Sequence, residues 1–410
     1  MAMTKPADSI ESRTSWLVAI TAVVILSVSF GAPIVVVVAL RPIAAALGDA
    51  REIPALASSL TYLGAGLGGM LMGWLAGRIG TRPVAITGGV MVCAGLMLAA
   101  GGATWQLLLG YGVLVGLLGN GALFPPMMTY VSLWFDRRRG TALALVSSGQ
   151  YVAGALWPAV FERAVAAFGW QRTMMGFGLL VAAVTVPLAA LVLRPPPVPL
   201  PAAGPGAGPS AGAPVLRLPP NLALALLSIA SFLCCVPMAM PAAHLVAFCG
   251  DLGIAASRGA LMLSVLLATA FLARQFWGWV ADRIGGLNTL LCGSAAQVLG
   301  MAGFLLTQDE AGLFFVSAAY GLGFSGLVPA YVLAVRELFP VREAAWRVPV
   351  LLFLSLCGMA AGAWLAGFLY DRFGNYAVAW EAGIACNLAN LAVLGFLALR
   401  QGRRLRPALA

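Results

Sequence analysis

GWLAGRIGTR, from Gly73 to Arg82, and GWVADRIGG, from Gly278 to Gly286, are two copies of one phrase placed far apart in the chain. Each copy closes one long apolar run and opens the next. Reading outward from the first copy gives apolar runs near 16–38, 54–76, 83–101, 105–131, 141–161 and 173–193. Reading outward from the second gives runs near 221–246, 258–280, 287–306, 312–335, 348–369 and 377–399. A helix needs about 20 apolar residues to cross a bilayer, so the pattern predicts twelve transmembrane helices in two sets of six. Between the sets lies RPPPVPLPAAGPGAGPSAGAPVLRLPP, Arg194 to Pro220, rich in Pro and Gly and without periodicity, which reads as a linker. The expected organisation is a six-helix bundle over 1–193, a linker over 194–220 and a second six-helix bundle over 221–410. A weaker echo of the repeat joins WFDRRRG (134–140) to LFPVREA (338–344).

Composition supports a bilayer rather than water as the solvent. The 410-residue chain is 61% apolar and 9% charged, where a soluble domain carries about 25% charged residues. The long unbroken runs exclude a β-barrel, whose strands alternate over about ten residues. The net charge of +10 does not point to nucleic acid, because the basic residues punctuate apolar segments instead of gathering on one module. Seven cysteines, an odd number without a CxxC pair, give no disulfide framework. The polar stretch Met1–Ser15 does not read as a cleavable signal peptide.

Placing both termini and the linker on one side puts 17 Lys and Arg in the segments of that side and 6 in the opposite segments, with Arg274 in neither set. The positive-inside rule then expects cytoplasmic termini and a multi-pass protein of a bacterial inner membrane. Parallel six-helix halves describe a known transporter architecture. No nucleotide-phosphate loop and no HExxH pair is present. A transporter is therefore expected rather than an enzyme, with no cofactor and no bound metal, acting as a monomer in the lipid bilayer.

The duplicated G-W-x-A-x-R-I-G phrase resembles the helix 2–3 signature of the major facilitator superfamily. The first copy departs from it: Gly77 stands where the family has Asp, and the second copy keeps Asp282. The resemblance implies a cytoplasmic gate latch involving Asp282, Arg283 and Arg78. WFDRRRGTALALVSSGQYVAGALWP, Trp134 to Pro158, is similar to the helix 4–5 signature of the monocarboxylate transporter and oxalate:formate antiporter branch. Physically, Arg137, Arg138 and Arg139 form a cationic loop between helices 4 and 5. These arginines are expected to help switch that side.

Arg274 is the most telling single residue. At about 1.5 Å rise per residue it lies roughly 24 Å from Arg258 and roughly 12 Å from Asp282 along its helix, well inside the hydrocarbon. An arginine at that depth costs at least about 2.5–3.5 kcal/mol on insertion scales, so it should face a watery cavity or a partner. No acidic residue lies between Arg258 and Asp282. A free guanidinium is a bidentate receptor for a carboxylate; a structural, snorkelling arginine is the alternative. The monocarboxylate branch resemblance implies that this helix 8 arginine grips the substrate carboxylate. Ala270 and Ile34 occupy positions where proton-coupled animal members carry Asp and Lys, so that coupling pair is missing.

His244, the only histidine, could take a coupling proton or hydrogen-bond the substrate. Tyr331 could donate a phenol hydrogen to a carboxylate, and Asn120, Tyr130 and Gln275 are further pocket candidates. The expected function is secondary active transport of a small organic monocarboxylate or related anion, with proton symport or anion exchange, by alternating access. One alternative is an efflux pump for hydrophobic compounds. The other is a copper carrier that uses Met240 and His244, four residues apart on one helix face.

Overall fold

The computed structural model describes residues 11–48, 50–135, 138–196 and 215–405. Among them the chain is helical, with no strand beyond an isolated β-bridge between Val215 and Leu218. Eleven helices are long and apolar enough to span a membrane. One of them, Gly149–Val192, folds back at Gly169, whose φ of 80° and ψ of 162° break the helix. That split yields twelve arms. We label them α1 (Arg13–Val38), α2 (Glu52–Ile79), α3 (Thr81–Ala99), α4 (Thr104–Ser132), α5 (149–168), α6 (170–192), α7 (Pro220–Asp251), α8 (Ala256–Ile284), α9 (Gly286–Leu306), α10 (Glu310–Leu338), α11 (Val341–Phe373) and α12 (Ala377–Leu405). The twelve expected spans are therefore present. The loop anticipated over 162–172 is instead helical except at Gly169, because a glycine at positive φ makes the reversal alone.

The repeated phrase ends α2 and α8 identically. Gly80 (φ 91°) and Gly285 (φ 77°) cap the two helices and let the chain turn at once into α3 and α9. Such a backbone strains any side chain with a Cβ. Two large buried clusters form the core. One gathers residues between 18 and 193, the other residues between 215 and 397 together with Val37 and Leu40.

Pro125 and Pro126 lie inside α4. The helix keeps its α form around them, over Gly121–Ser132, and the irregularity moves one step upstream, to a π-helical stretch over Gly110–Asn120. Proline removes hydrogen bonds to the preceding turn and crowds it, and a widened turn accommodates both effects. Small residues allow the wide helix to lie directly on α2. A Cβ built on Gly68 would stand 2.0 Å from the Leu117 carbonyl oxygen, and one on Gly64 would stand 2.2 Å from that of Gly112.

All the membrane arms alternate in direction. The ends of α1 and α7 that start each half, and the tail of α12, share one end of the molecule, here the terminal end. The α1–α2, α7–α8 and α11–α12 connections share the other, here the loop end.

Candidate functional site

The halves touch through polar groups at the loop end. Arg51, just ahead of α2, reaches across to the end of α7. Its two terminal nitrogens each donate to a different oxygen of Asp251, both at 2.6 Å. The same guanidinium lies 3.7 Å from the centre of the Tyr370 ring and donates to the Tyr376 hydroxyl at 3.0 Å. The backbone N–H groups of Arg51 and Glu52 donate to the two oxygens of Asp371, and Trp364 Nε1 donates to Glu52. Deeper along the same seam, Ser59 donates to the Ala360 carbonyl at 2.6 Å. Arg51 is 8% exposed. Burial works against its charge, but the hydrogen bonds with Asp251 and Tyr376 outweigh it and hold the guanidinium pKa above its usual value. At the terminal end, the side-chain hydrogen bonds recorded among the described residues stay within one half, as in Tyr130 to Arg194 and Arg347 to Glu343.

His244 belongs to this loop-end network. It is fully buried in α7, with Nε2 2.9 Å from the Ala363 carbonyl and Nδ1 2.9 Å from the Tyr376 hydroxyl. A carbonyl only accepts, so Nε2 carries the hydrogen. Nδ1 then accepts from Tyr376, whose oxygen in turn accepts from Arg51. The chain Asp251–Arg51–Tyr376–His244–Ala363 thus links both halves. It also corrects the metal alternative, because both ring nitrogens are engaged and neither has a lone pair to offer copper. No metal-holding group of His, Cys, Asp or Glu occurs among the described residues.

Arg274 stands apart from that network. It lies half-buried in α8, about 15 Å from the Ile284 end at 1.5 Å per residue. Its guanidinium faces the Tyr151 ring of α5, 5.1 Å from the ring centre, across the boundary between the halves. One step toward the loop end along the same pair of helices, Gly154 packs against Leu267. No carboxylate pairs with Arg274 among the described residues. Its position therefore combines a charge at membrane depth, an aromatic wall from the opposite half and an unclaimed donor fork.

The other expected substrate groups are not gathered around it. Tyr331 is fully buried and donates to Asn390 Oδ1 at 2.8 Å. Asn390 Nδ2 donates to Asn387 and to Ser294, Asn387 donates to Gln297, and Gln297 donates to the Cys234 carbonyl. Tyr320, 3.3 Å from Gln297, donates to the Pro237 carbonyl at 2.7 Å. This network fastens α7, α9, α10 and α12 together inside one half, so the Tyr331 phenol is already committed. Tyr331→Phe is expected to lower stability by about 1 kcal/mol, the value of one such bond. It should leave the KM of transport unchanged. Thermal unfolding in detergent and uptake kinetics on the same preparation check both halves of that statement.

Tyr130, 4% exposed, donates to the Arg194 carbonyl at 2.6 Å and ties the end of α4 to the end of α6. Gln275 is exposed on α8 beside Phe276. Asn120 is 2% exposed with its Oδ1 unpartnered, at the end of the π-helical stretch. Of the expected gating groups, Arg78 stacks on Trp74 at 4.0 Å and Arg283 on Trp279 at 3.8 Å. Both tryptophans are more than half exposed, so these arginines lie along the outer surface rather than across the seam. Arg138 is exposed, and its backbone N–H donates to Glu11. Arg137 and the side chain of Asp282 lie outside the described residues. Sequence reasoning missed Arg51, Asp251 and Tyr376, which sit at helix ends where charged and aromatic residues are unremarkable singly. Only their meeting gives them meaning.

The family model described as Major Facilitator Superfamily matches residues 17–247 and again 227–409. Monocarboxylate transporter 13 of Rattus norvegicus is 28% identical over 331 residues, covering 78% of this chain and 74% of its own. Monocarboxylate transporter 11 of Homo sapiens is 27% identical over 402 residues, covering 91% and 80%. The agnestins efflux protein AgnL12 of Paecilomyces divaricatus is 27% identical, covering 79% and 73%. Among solved structures, the nucleoside transporter NupG superposes with a TM-score of 0.75 at 14% identity, covering 93% of this chain and 99% of that one. That likeness speaks to the fold.

Proposed function

The chain belongs to the major facilitator superfamily, and from that premise we propose that this transporter carries a small organic monocarboxylate, or a related anion, by alternating access. Transport is not enzymatic chemistry; the family moves its substrates without converting them. One observation carries the substrate reading. Arg274 holds a fixed positive charge at membrane depth on the boundary between the halves, against Tyr151 of the opposite half and without a carboxylate partner among the described residues. An arginine there presents a planar fork to a carboxylate. The similarity to proteins named monocarboxylate transporters supports the same class.

The charge count of the sequence, 17 basic residues against 6, supports a cytoplasmic terminal end, in what we read as a bacterial inner membrane. The loop end then faces outward, and the Arg51–Asp251 cluster is an outer gate, closed in the arrangement seen here. The proposed halves are 1–193 and 221–410 with a cytoplasmic linker over 194–220. They rock about the α5–α8 and α2–α11 seams in a monomer, with a proton or a counter-anion as the coupled species. Asn120, with its unpartnered Oδ1, is the next candidate contact. Tyr331 and Tyr130 are left out of the pocket because their hydroxyls are taken. His244 is assigned to the outer gate.

Uptake of a carboxylate panel into proteoliposomes tests the reading. Truncating one side of a desolvated charge pair costs about 2–5 kcal/mol. Arg274→Ala should therefore lower kcat/KM for the transported carboxylate on the order of 100-fold, and Arg274→Lys should recover part of it. Carboxylate uptake at the wild-type rate in the alanine variant removes the proposal.

A further inference from the structure

A groove opens on the outer surface of the C-terminal half, away from the seam. It is apolar, about 520 Å³ in volume, and runs between α8, α9 and α10. Leu272, Phe276 and Trp277 of α8 form one wall, with Ala296 of α9 and Leu322 and Gly323 of α10 opposite. Its rim is strongly exposed for such apolar residues: Leu272 66%, Phe276 57% and Leu322 50%. The floor requires no polar ligand, because Trp277 Nε1 donates to the Leu322 carbonyl at 2.6 Å. The groove lies in the half of α8 nearer the terminal end, its Leu272 to Trp277 wall standing roughly 18 to 10 Å along the helix from Ile284.

The groove leads to a cation. Phe276 stacks on Trp279, ring centres 6.1 Å apart, and the Arg283 guanidinium lies 3.8 Å over the Trp279 ring. Arg283 is exposed, in the last turn of α8, and no carboxylate pairs with it among the described residues. Glu337, at the end of α10, accepts instead from the Gly286 backbone N–H at 2.9 Å. One face therefore offers, in order from the bilayer centre, an apolar slot walled by Phe276, then the Trp279 ring, then the exposed Arg283 guanidinium in the last turn of α8. An acyl chain, a glycerol backbone and a negatively charged headgroup present the complementary order. A tryptophan–arginine pair alone is an ordinary interfacial anchor; the slot that runs into it distinguishes this face. The other half carries the same stacked pair, Arg78 on Trp74, because the duplicated phrase spaces them alike.

We propose that the α8–α10 face binds one phospholipid with an anionic headgroup, its acyl chain in the groove and its phosphate on Arg283. The site is independent of the transported substrate, so it stands or falls separately from the carboxylate reading. Native mass spectrometry of the purified protein titrated with phosphatidylglycerol or phosphatidylcholine tests it. One cationic contact with an anionic headgroup is worth about 1 kcal/mol, so the wild type should retain phosphatidylglycerol about 5-fold over phosphatidylcholine at the first bound lipid. Arg283→Gln should abolish that preference while still retaining a lipid. Ala319 of α10 also lines the groove, so Ala319→Leu narrows it and should reduce first-lipid retention for both headgroups. Equal retention of the two lipids by the wild type, or an undiminished phosphatidylglycerol preference in Arg283→Gln, overturns the proposal. Unchanged lipid retention in Ala319→Leu overturns the groove as the acyl site.

Discussion

Arg51→Gln is expected to open the loop end of the transporter. The guanidinium donates two short hydrogen bonds to Asp251, stacks on Tyr370 and holds the Tyr376 hydroxyl that His244 also uses. Glutamine keeps a hydrogen-bonding head but loses the charge and the fork. Removing one partner of a buried pair costs about 3–5 kcal/mol. Asp251 is partly exposed, with 22% of its side chain reaching solvent, so the lower end of that range applies. About 3 kcal/mol shifts the ratio of closed to open states on the order of 100-fold. Arg41, 3.9 Å from Asp251 with half its side chain exposed, is too solvated to replace the lost contact. Spin labels on Arg163 and Asn375, exposed positions of the two halves near the loop end, should report a longer distance in the variant than in the wild type. An unchanged distance distribution would show that the apolar seam, not Arg51, keeps this end shut. Tyr376→Phe should produce a smaller shift in the same direction, because it removes the Arg51 to Tyr376 hydrogen bond across the seam and leaves the Asp251 bridge intact.

Gly68→Val should prevent stable folding altogether. The added Cβ would fall 2.0 Å from the Leu117 carbonyl oxygen and 2.7 Å from its carbonyl carbon. Those are backbone atoms of the π-helical stretch, so no side chain can swing aside to make room. The helices must separate along much of their length, and the loss should exceed about 4 kcal/mol, at the upper end of what single substitutions cause. Gly73→Ala, one and a half turns further along α2, is the matched control, since nothing lies within 4 Å of its Cβ position. It should be neutral or stabilising by up to about 1 kcal/mol through helix propensity. Size-exclusion profiles and thermal unfolding of the two variants give the comparison. A monodisperse Gly68→Val protein with wild-type stability would mean that α2 and α4 are not packed backbone to backbone.

The close packing at Gly68 is not announced by its neighbours in sequence, for α2 carries six glycines between Gly64 and Gly77 and Gly73 lies in open space. The duplicated phrase around Gly73 and Gly278 is more visible in the sequence, yet its contribution to the fold lies in the turn glycines Gly80 and Gly285, which take positive φ. The arginines of that phrase were expected at a gate across the seam. Arg78 and Arg283 instead lie on exposed tryptophans, four residues back on the same helix face, where an interfacial headgroup is the natural counterpart.

The sequence by itself determined the solvent, the number of spans, the duplication and the depth of Arg274, because these depend on the length and composition of each run and on the cost of a charge in hydrocarbon. It did not determine which side of each run faces a neighbouring helix. In water the polar face of a helix declares itself; in lipid both faces are apolar, so periodicity carries little orientation. Tyr331 therefore looked as available as any buried phenol until Asn390 was seen to hold it. Arg51 and Asp251, 200 positions apart, looked like ordinary loop charges until the halves came together. A polar contact between distant helices is a property of their rotation and crossing, and only the tertiary structure fixes both.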